Sequence, residues 1–342
     1  MSGGARPGIS ADRARILAFR RHTGSLDERM ESGSASLERA ACAGLQDSVP
    51  RSALLSLHAR VAGVGPSDWE APSLAQVWGP RYTAHVVPAR DHAAFTLGRL
   101  PDDARGRERA ERMAALLRDH LGGERRRYDE VGAALGVDPN ALRYAATTGT
   151  VLIRWEGAAL SQVWTVAAPD GTPARAREEL ARRYLHVYGP ATPPSFARWA
   201  GISDRGARNA FAALASSSIA VATPSGPAWI LAADEPAFRD EQRPPAPARL
   251  LPSGDPYFLH HGLERELLVR DPAHRELLWP SRVWPGAVMI DGEIRGTWRR
   301  SDATVTVALW RSIGRARRAA VEAEAAALPL PGLTRAIDVV WS

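Results

Sequence analysis

The 342-residue chain contains no lysine. All 44 of its cationic side chains are arginine, and asparagine occurs only at Asn140 and Asn209. A single cysteine, Cys42, excludes an internal disulfide framework and any cysteine-based zinc finger. No stretch approaches the roughly 20 uninterrupted apolar residues of a membrane span. Met1–Ser10 has one arginine and no apolar core, so it does not read as a signal peptide. These absences point to a cytoplasmic protein with no membrane partner.

What is present is dominated by Ala, Gly, Pro and Arg. The formal net charge is +6, which has two readings. One is a compositional bias in which Arg fills ordinary surface positions; the other is the electrostatic footprint of a nucleic-acid binder. Residues 1–100 carry 12 Arg against 9 acids, 101–249 carry 20 against 18, and 250–342 carry 12 against 11. With no basic tail, a phosphate-binding surface has to be made by folding. The length corresponds to about two average domains.

Two segments share a helix-turn-helix grammar: Tyr128–Thr148 (YDEVGAALGVDPNALRYAATT) and Ser195–Ala215 (SFARWAGISDRGARNAFAALA). With Gly136 aligned on Gly201, Val137 meets Ile202, Asp138 meets Ser203 and Arg143 meets Arg208. Each first helix ends at a glycine, which tolerates the left-handed C-cap. An apolar residue and an N-capping Asp or Ser follow, and the next helix begins at once. After each unit comes a two-stranded hairpin. In the first, TVLIRWEG and ALSQVWTVA meet at a tight turn at Glu156-Gly157; in the second, SSSIAVAT and PAWILAA flank Ser225-Gly226. Helices at Ala104–Leu121 and Ala174–Tyr188 precede the two units, with apolar residues at helical spacing. Helix, helix and hairpin is the winged-helix pattern.

A looser third copy places Gly44, Leu45, Arg51 and Ala53 on Gly136, Val137, Arg143 and Ala145. Its helix starts at Pro50 and runs to Val61, a long loop spans Gly63–Ser73, and strands follow at Tyr82–Val87 and Ala93–Leu97. The predicted organisation is α+β, with a degenerate winged helix at 1–100, a second at 101–172 and a third at 173–233. A Pro- and charge-rich linker at 234–249 leads to a β-rich domain at 250–342. There, strands at Val283–Ile290, Gly292–Arg299 and Ala303–Trp310, a helix at Ile313–Ala327 and a strand at Ala336–Trp341 predict a small β-barrel-like unit. Asp291-Gly292 is a strong hairpin signal.

Four stretches carry a resemblance: AGLQDS around Gln46, LARRYLHVYGPATPPSFARWAGI at 180–202, LLPSGDPYFL at 250–259 and DGEIRGTWRR at 291–300. The chain resembles the bacterial winged-helix DNA glycosylases typified by AlkZ and YcaQ, in the right order and over nearly its whole length. The resemblance implies three tandem winged helices around a basic concave surface and a C-terminal β-barrel. It implies removal of alkylated purines from double-stranded DNA, including unhooking of interstrand crosslinks, by a monomer without cofactor or metal. The family's catalytic motif is Gln, any residue, Gln, with Asp in the last place in one branch. The matching tripeptide here is Gln46-Asp47-Ser48, so the first position matches and Ser48 replaces the second.

A purine alkylated at N7 or N3 is positively charged and leaves without protonation. The enzyme has to stabilise an oxocarbenium ion and place a water. The Gln46 amide can orient water but cannot accept a proton at neutral pH. Ser48 can hold a water through its shorter side chain. Asp47 can act as a base if the backbone turns it into the site. The competing reading is structural: Asp47 or Ser48 caps the helix that starts at Pro50, worth about 1 kcal/mol. The candidate DNA contacts are Arg51, Arg125, Arg126, Arg127, Arg143, Arg154, Trp155, Arg205 and Arg208. Arg125–Arg127 form either a solvated helix end or a phosphate clamp. Trp155 is either core or a minor-groove wedge on the Thr150–Val166 hairpin. His58 and His85 read as packing residues, and His260-His261 beside Asp255 as loop rather than metal ligands. The alternative function is a non-catalytic winged-helix DNA-binding protein that has lost the chemistry.

Overall fold

The computed structural model describes residues 9–157, 161–240 and 244–342. Most of Met1–Ser10, residues 158–160 at the start of the expected second strand of the Thr150–Val166 hairpin, and part of the expected linker, 241–243, lie outside the described residues. The fold is mixed α+β, with small sheets: three of three strands and one of five. No helix among the described residues is long and apolar enough to cross a membrane.

Both helix-turn-helix segments form where their caps direct them. Helix Tyr128–Leu135 ends at Gly136 with φ of 65°, and the Asp138 carboxylate accepts the Asn140 N–H (2.8 Å) to open Pro139–Thr148. Helix Pro193–Ala200 ends at Gly201 with φ of 68°, and Ser203 Oγ accepts the Gly206 N–H (2.9 Å) to open Asp204–Ala213. The two second helices differ: Pro139–Thr148 is wound as a 3-10 helix, Asp204–Ala213 as an α-helix. The preceding helices run Ala104–Leu121 and Pro173–Tyr188. Val151–Arg154 pairs with Gln162–Thr165, on whose other side Arg126–Arg127 lies. The first strand ends at Arg154, before the expected tight turn at Glu156-Gly157, and its partner begins at Gln162. Ser218–Thr223 pairs with Gly226–Leu231, and Ile9–Ser10 adds in parallel to this sheet.

The N-terminal segment departs from the expected repeat. Gly44, with φ of 76°, leads into strand Leu45–Gln46 rather than joining two helices. It is glycine because a Cβ there would lie 3.0 Å from the buried Phe95 ring. Helix Ser52–Arg60 follows, then a single turn at Asp68–Glu70 and the hairpin Leu74–Trp78 and Ala84–Pro88. Strand Leu74–Trp78 has no counterpart in the sequence reading, and the expected strand at Ala93–Leu97 is helical at His92–Phe95. There Phe95 is sealed into a shared core with Tyr184, Leu185 and Trp199, which overrides the local β-like pattern.

The cores cross from one unit to the next. Every residue of helix Ser52–Arg60 is buried. Leu54 and Leu57 pack with Leu45 and Val86, Leu55 with Val288 and Trp298, and Ala59 with Tyr257 and Met289. Trp78 from the first hairpin completes the core of Leu117, Leu142 and Ile153. The C-terminal sheet runs 248–251, 286–290, 293–301, 304–309, 338–341. It is open rather than closed, because helix Arg315–Ala326 carries the chain over one face and returns it in parallel beside Thr304–Leu309. Segments 256–258, 263–268 and 272–278 cover the other face through Tyr257, Leu268 and Leu278. With both faces covered, closure into a barrel is not needed to bury the sheet. Its first strand, Ala248–Leu251, lies at the end of the stretch expected as linker.

Candidate active site

Gln46 closes the short strand that pairs with Ala84–Pro88, opposite His85. An extended chain sends alternate side chains to opposite sides. Gln46 and Ser48 accordingly meet, Gln46 Nε2 donating to Ser48 Oγ at 2.6 Å. Ser48 is exposed, Gln46 half-buried and Asp47 buried. The amide of Gln46 is held at its other end as well: Arg81 Nη2 donates to Gln46 Oε1 at 3.0 Å. Arg81 and Tyr82 form the tip of the Leu74–Pro88 hairpin with φ of 55° and 59°. Left-handed conformations at non-glycine residues cost of order 1–3 kcal/mol each and persist where the surroundings hold them. Arg81 is held by Gln46 and, through Nη1, by His261 Nε2 at 2.8 Å. Burial, with Arg81, Arg265 and Arg198 nearby, lowers the His261 pKa to about 4, so the imidazole accepts as a neutral ring. Gly254 closes over the amide with φ of 78°, and a Cβ there would come within 3.2 Å of Gln46 Nε2.

Asp47 turns the other way. One carboxylate oxygen accepts the Ala53 N–H (3.0 Å) and the other accepts Gln76 Nε2 (2.8 Å). It thus caps helix Ser52–Arg60 from outside. Arg51 occupies the N-cap position with φ of 66° and offers no side-chain cap, so the helix starts two residues later than Pro50. Gln76 Oε1 in turn accepts the Trp155 N–H at 2.5 Å, joining the second unit's hairpin to Asp47. Burial pushes the Asp47 pKa up to about 6, and the Ala53 amide, Arg51, Gln76 and Ser52 only partly oppose it. Between the first and second units lies a cleft of about 240 Å³, lined by Asp47, Ser48, Tyr82, Tyr128, Arg143 and Trp155 among others. Arg143 makes no ion pair among the described residues, and its buried Nε has no partner.

A family model described as DNA glycosylase AlkZ-like matches residues 37–329. The chain belongs to the AlkZ-like DNA glycosylase family. Its fold matches the solved structure of Streptomyces sahachiroi DNA glycosylase AlkZ with a TM-score of 0.79. The two are 20% identical, and the match covers 98% of this chain and 100% of that one. No curated protein matches the chain.

In this AlkZ-like chain the other candidate DNA contacts fall into different surroundings. Arg51 and Arg154 lie over the Trp69 ring, at 4.3 and 5.0 Å. Arg51 donates to the Glu156 carbonyl, and Arg154 pairs with Glu70 and Glu156. Arg125 stacks over Trp164 at 4.1 Å. Arg126 pairs with Glu124 and Arg127 with Asp129, in exposed bridges that solvent screens and a phosphate can displace. Trp155 is half-buried. Arg205 lines a second cleft, of about 480 Å³, with Tyr82, Arg99 and Ser203. Arg208 is exposed on Asp204–Ala213, so the aligned pair Arg143 and Arg208 does not share one environment.

His58 and His85 are buried, and burial lowers their pKa values to about 4 and about 3. Asp255 is engaged by Arg60, and among the described residues no group of three or more His, Cys, Asp or Glu is placed to hold a metal. His261, expected as part of a loop, holds Arg81. The sequence singled out neither Arg81 nor Gln76 nor Gly254: Gly254 lies inside LLPSGDPYFL, and the other two carry no local signal.

Arg143 is the cleft cation with no competing carboxylate. Arg143→Ala is expected to weaken binding to a duplex by about tenfold, since a hydrogen bond to a charged group contributes ~1.5–3 kcal/mol. Arg126→Ala, whose charge is already met by Glu124, should change it less than threefold. Fluorescence anisotropy at fixed salt checks both, and equal losses would remove Arg143 from the DNA-facing surface.

Proposed function

We propose that the chain is a monofunctional DNA glycosylase that hydrolyses the N-glycosidic bond of alkylated purines, including purines tied into interstrand crosslinks. It grips duplex DNA as a monomer with three winged-helix units. The order of strands in two of the small sheets supports that reading, since the strand before the helix lies beside the last strand of the hairpin. The observation that carries the activity is the Gln46 amide, held between Arg81 and Ser48, with Ser48 lining the cleft that Asp47 and Arg143 also line.

With N7 alkylated, the bond from C1′ to N9 breaks, its electron pair goes to the cationic ring, and a neutral base departs. The sugar is left as an oxocarbenium ion, and a water oxygen bonds to C1′ and loses a proton. Ser48 accepts from Gln46 and keeps its own O–H and a lone pair for that water. Asp47 also lines the cleft, its carboxylate held by the Ala53 N–H and Gln76, and its buried negative charge stabilises the cation from behind as it forms. The cleft is an open groove between units, so a crosslinked base that cannot be flipped out of the duplex is still reachable.

The test is release of N7-methylguanine from a single-lesion oligonucleotide, read as strand breaks after alkali. Protonating Asp47 removes its charge, so the rate is expected to rise about tenfold from pH 5 to pH 7, following the ionised fraction of a group titrating near 6. A flat profile would take Asp47 out of the chemistry. No release from this lesion or from a nitrogen-mustard crosslink would overturn the glycosylase reading in favour of a DNA-binding protein without chemistry. The observation behind that second reading is the serine at position 48.

A further inference from the structure

Most arginines that pack into this protein meet a carboxylate: Arg13 meets Glu293, Arg20 Glu264, Arg21 Asp27, Arg60 Asp255 and Arg177 Asp102. One group does not. Arg81, Arg198 and Arg265 surround His261, and among the described residues none of the three pairs with an acid. Arg81 is held by two neutral acceptors, His261 Nε2 and Gln46 Oε1. The Arg265 guanidinium lies over the rings of Trp279 (4.8 Å) and Trp284 (5.1 Å), and its Nε donates to the His260 carbonyl at 2.7 Å. Arg198 is exposed and approaches from helix Pro193–Ala200, its Nη1 lying 3.3 Å from where a Cβ on Gly262 would stand. Two acids of the same segment are already engaged, Glu264 by Arg20 and Asp255 by Arg60.

Three cations drawn from three parts of the chain around one imidazole repel one another. Arg81 is brought there by a strained hairpin tip and Arg265 by two indole rings. We propose that Arg81, Arg198 and Arg265, gathered around His261, bind one phosphodiester of the DNA strand that carries the damaged base, next to the sugar presented to Gln46. A guanidinium fork matches two phosphate oxygens, and a neutral imidazole on Arg81 leaves its charge available to the anion. The site therefore sets the position of the scissile sugar along the strand. It rests on the reading that Gln46 faces that sugar.

The experiment replaces the phosphates around an N7-methylguanine one at a time with uncharged methylphosphonates, on a 2′-fluorinated sugar that slows base loss. Binding is measured by anisotropy for the wild type and for Arg81→Gln and Arg198→Gln. For the wild type, one linkage adjacent to the lesion should cost about tenfold in affinity, the size expected for a charged hydrogen bond. At that linkage Arg81→Gln should lose less than twofold further, and Arg198→Gln an intermediate amount. The Arg81→Gln variant should also bind with a salt slope shallower by about one phosphate.

If every methylphosphonate costs both variants as much as the wild type, the proposal is overturned. A coupled linkage several nucleotides from the lesion overturns it too, because it separates the site from Gln46. Arg198 is exposed, so its variant keeps the test decisive if Arg81→Gln does not fold. Binding is scored without base release, so the phosphate site can hold where glycosylase activity fails, and the reverse.

Discussion

Asp255→Ala is expected to destabilise the protein by about 3–5 kcal/mol, the usual result of leaving one member of a buried ion pair uncompensated. Asp255 is fully buried and Arg60 nearly so. The guanidinium and carboxylate meet through two bonds, of 2.7 and 2.8 Å. The same carboxylate accepts Ser56 Oγ at 2.8 Å and the Tyr257 N–H at 2.9 Å. Removing it strands a charge and two further donors inside the contact between helix Ser52–Arg60 and the C-terminal part. Arg60→Met together with Asp255→Ala should recover part of the loss, because no charge then remains buried. Urea unfolding followed by tryptophan fluorescence measures both. A cost below about 1 kcal/mol would mean that water reaches the pair after all. The same substitution should impair base release, since Asp255 anchors the turn that presses Gly254 onto Gln46.

Gln46→Ala is expected to slow base release by about 10²–10³-fold, the size seen when one preorganised polar group is removed from a site of developing charge. Gln46 is half-buried at a strand end, so its loss leaves no cavity in a core. What disappears is the donor that orients Ser48 and one of the two acceptors that hold Arg81. Binding to undamaged duplex should stay within about threefold, because the unpaired cation Arg143 is untouched. Retained base release would reassign the water-positioning role to Ser48 and Asp47. A parallel loss of release and of duplex binding would show Gln46 to be a scaffold for Arg81.

The compositional bias also looks different in the folded protein. Arginine is not confined to ordinary surface positions. Arg20 reaches the Gly189 and Pro190 carbonyls and Glu264, and Arg177 reaches two carbonyls and Asp102. These buried forks use several donors at once, which a lysine ammonium could not match in the same geometry. A +6 balance thus contains structural arginines as well as the few that remain without an acid, and the total cannot separate them.

The sequence by itself determined what depends on near neighbours. Gly136 and Gly201 end helices, Asp138 and Ser203 begin them, and the spacing of Gln46 and Ser48 puts them on one side of an extended segment. Each of these is settled within a few residues by backbone sterics or a local hydrogen bond. Tertiary structure decided which of those residues matter and how. Asp47 became a helix cap because Ala53 and Gln76 converge on it; position 44 takes glycine because the Phe95 ring lies against it. The C-terminal sheet stayed open because a helix and three short segments cover its faces. Arg81 reaches Gln46 with one nitrogen and His261, 180 residues further along the chain, with another. No local pattern encodes which arginine finds a carboxylate and which lines a cleft without one, because burial and charge pairing are properties of the packed whole.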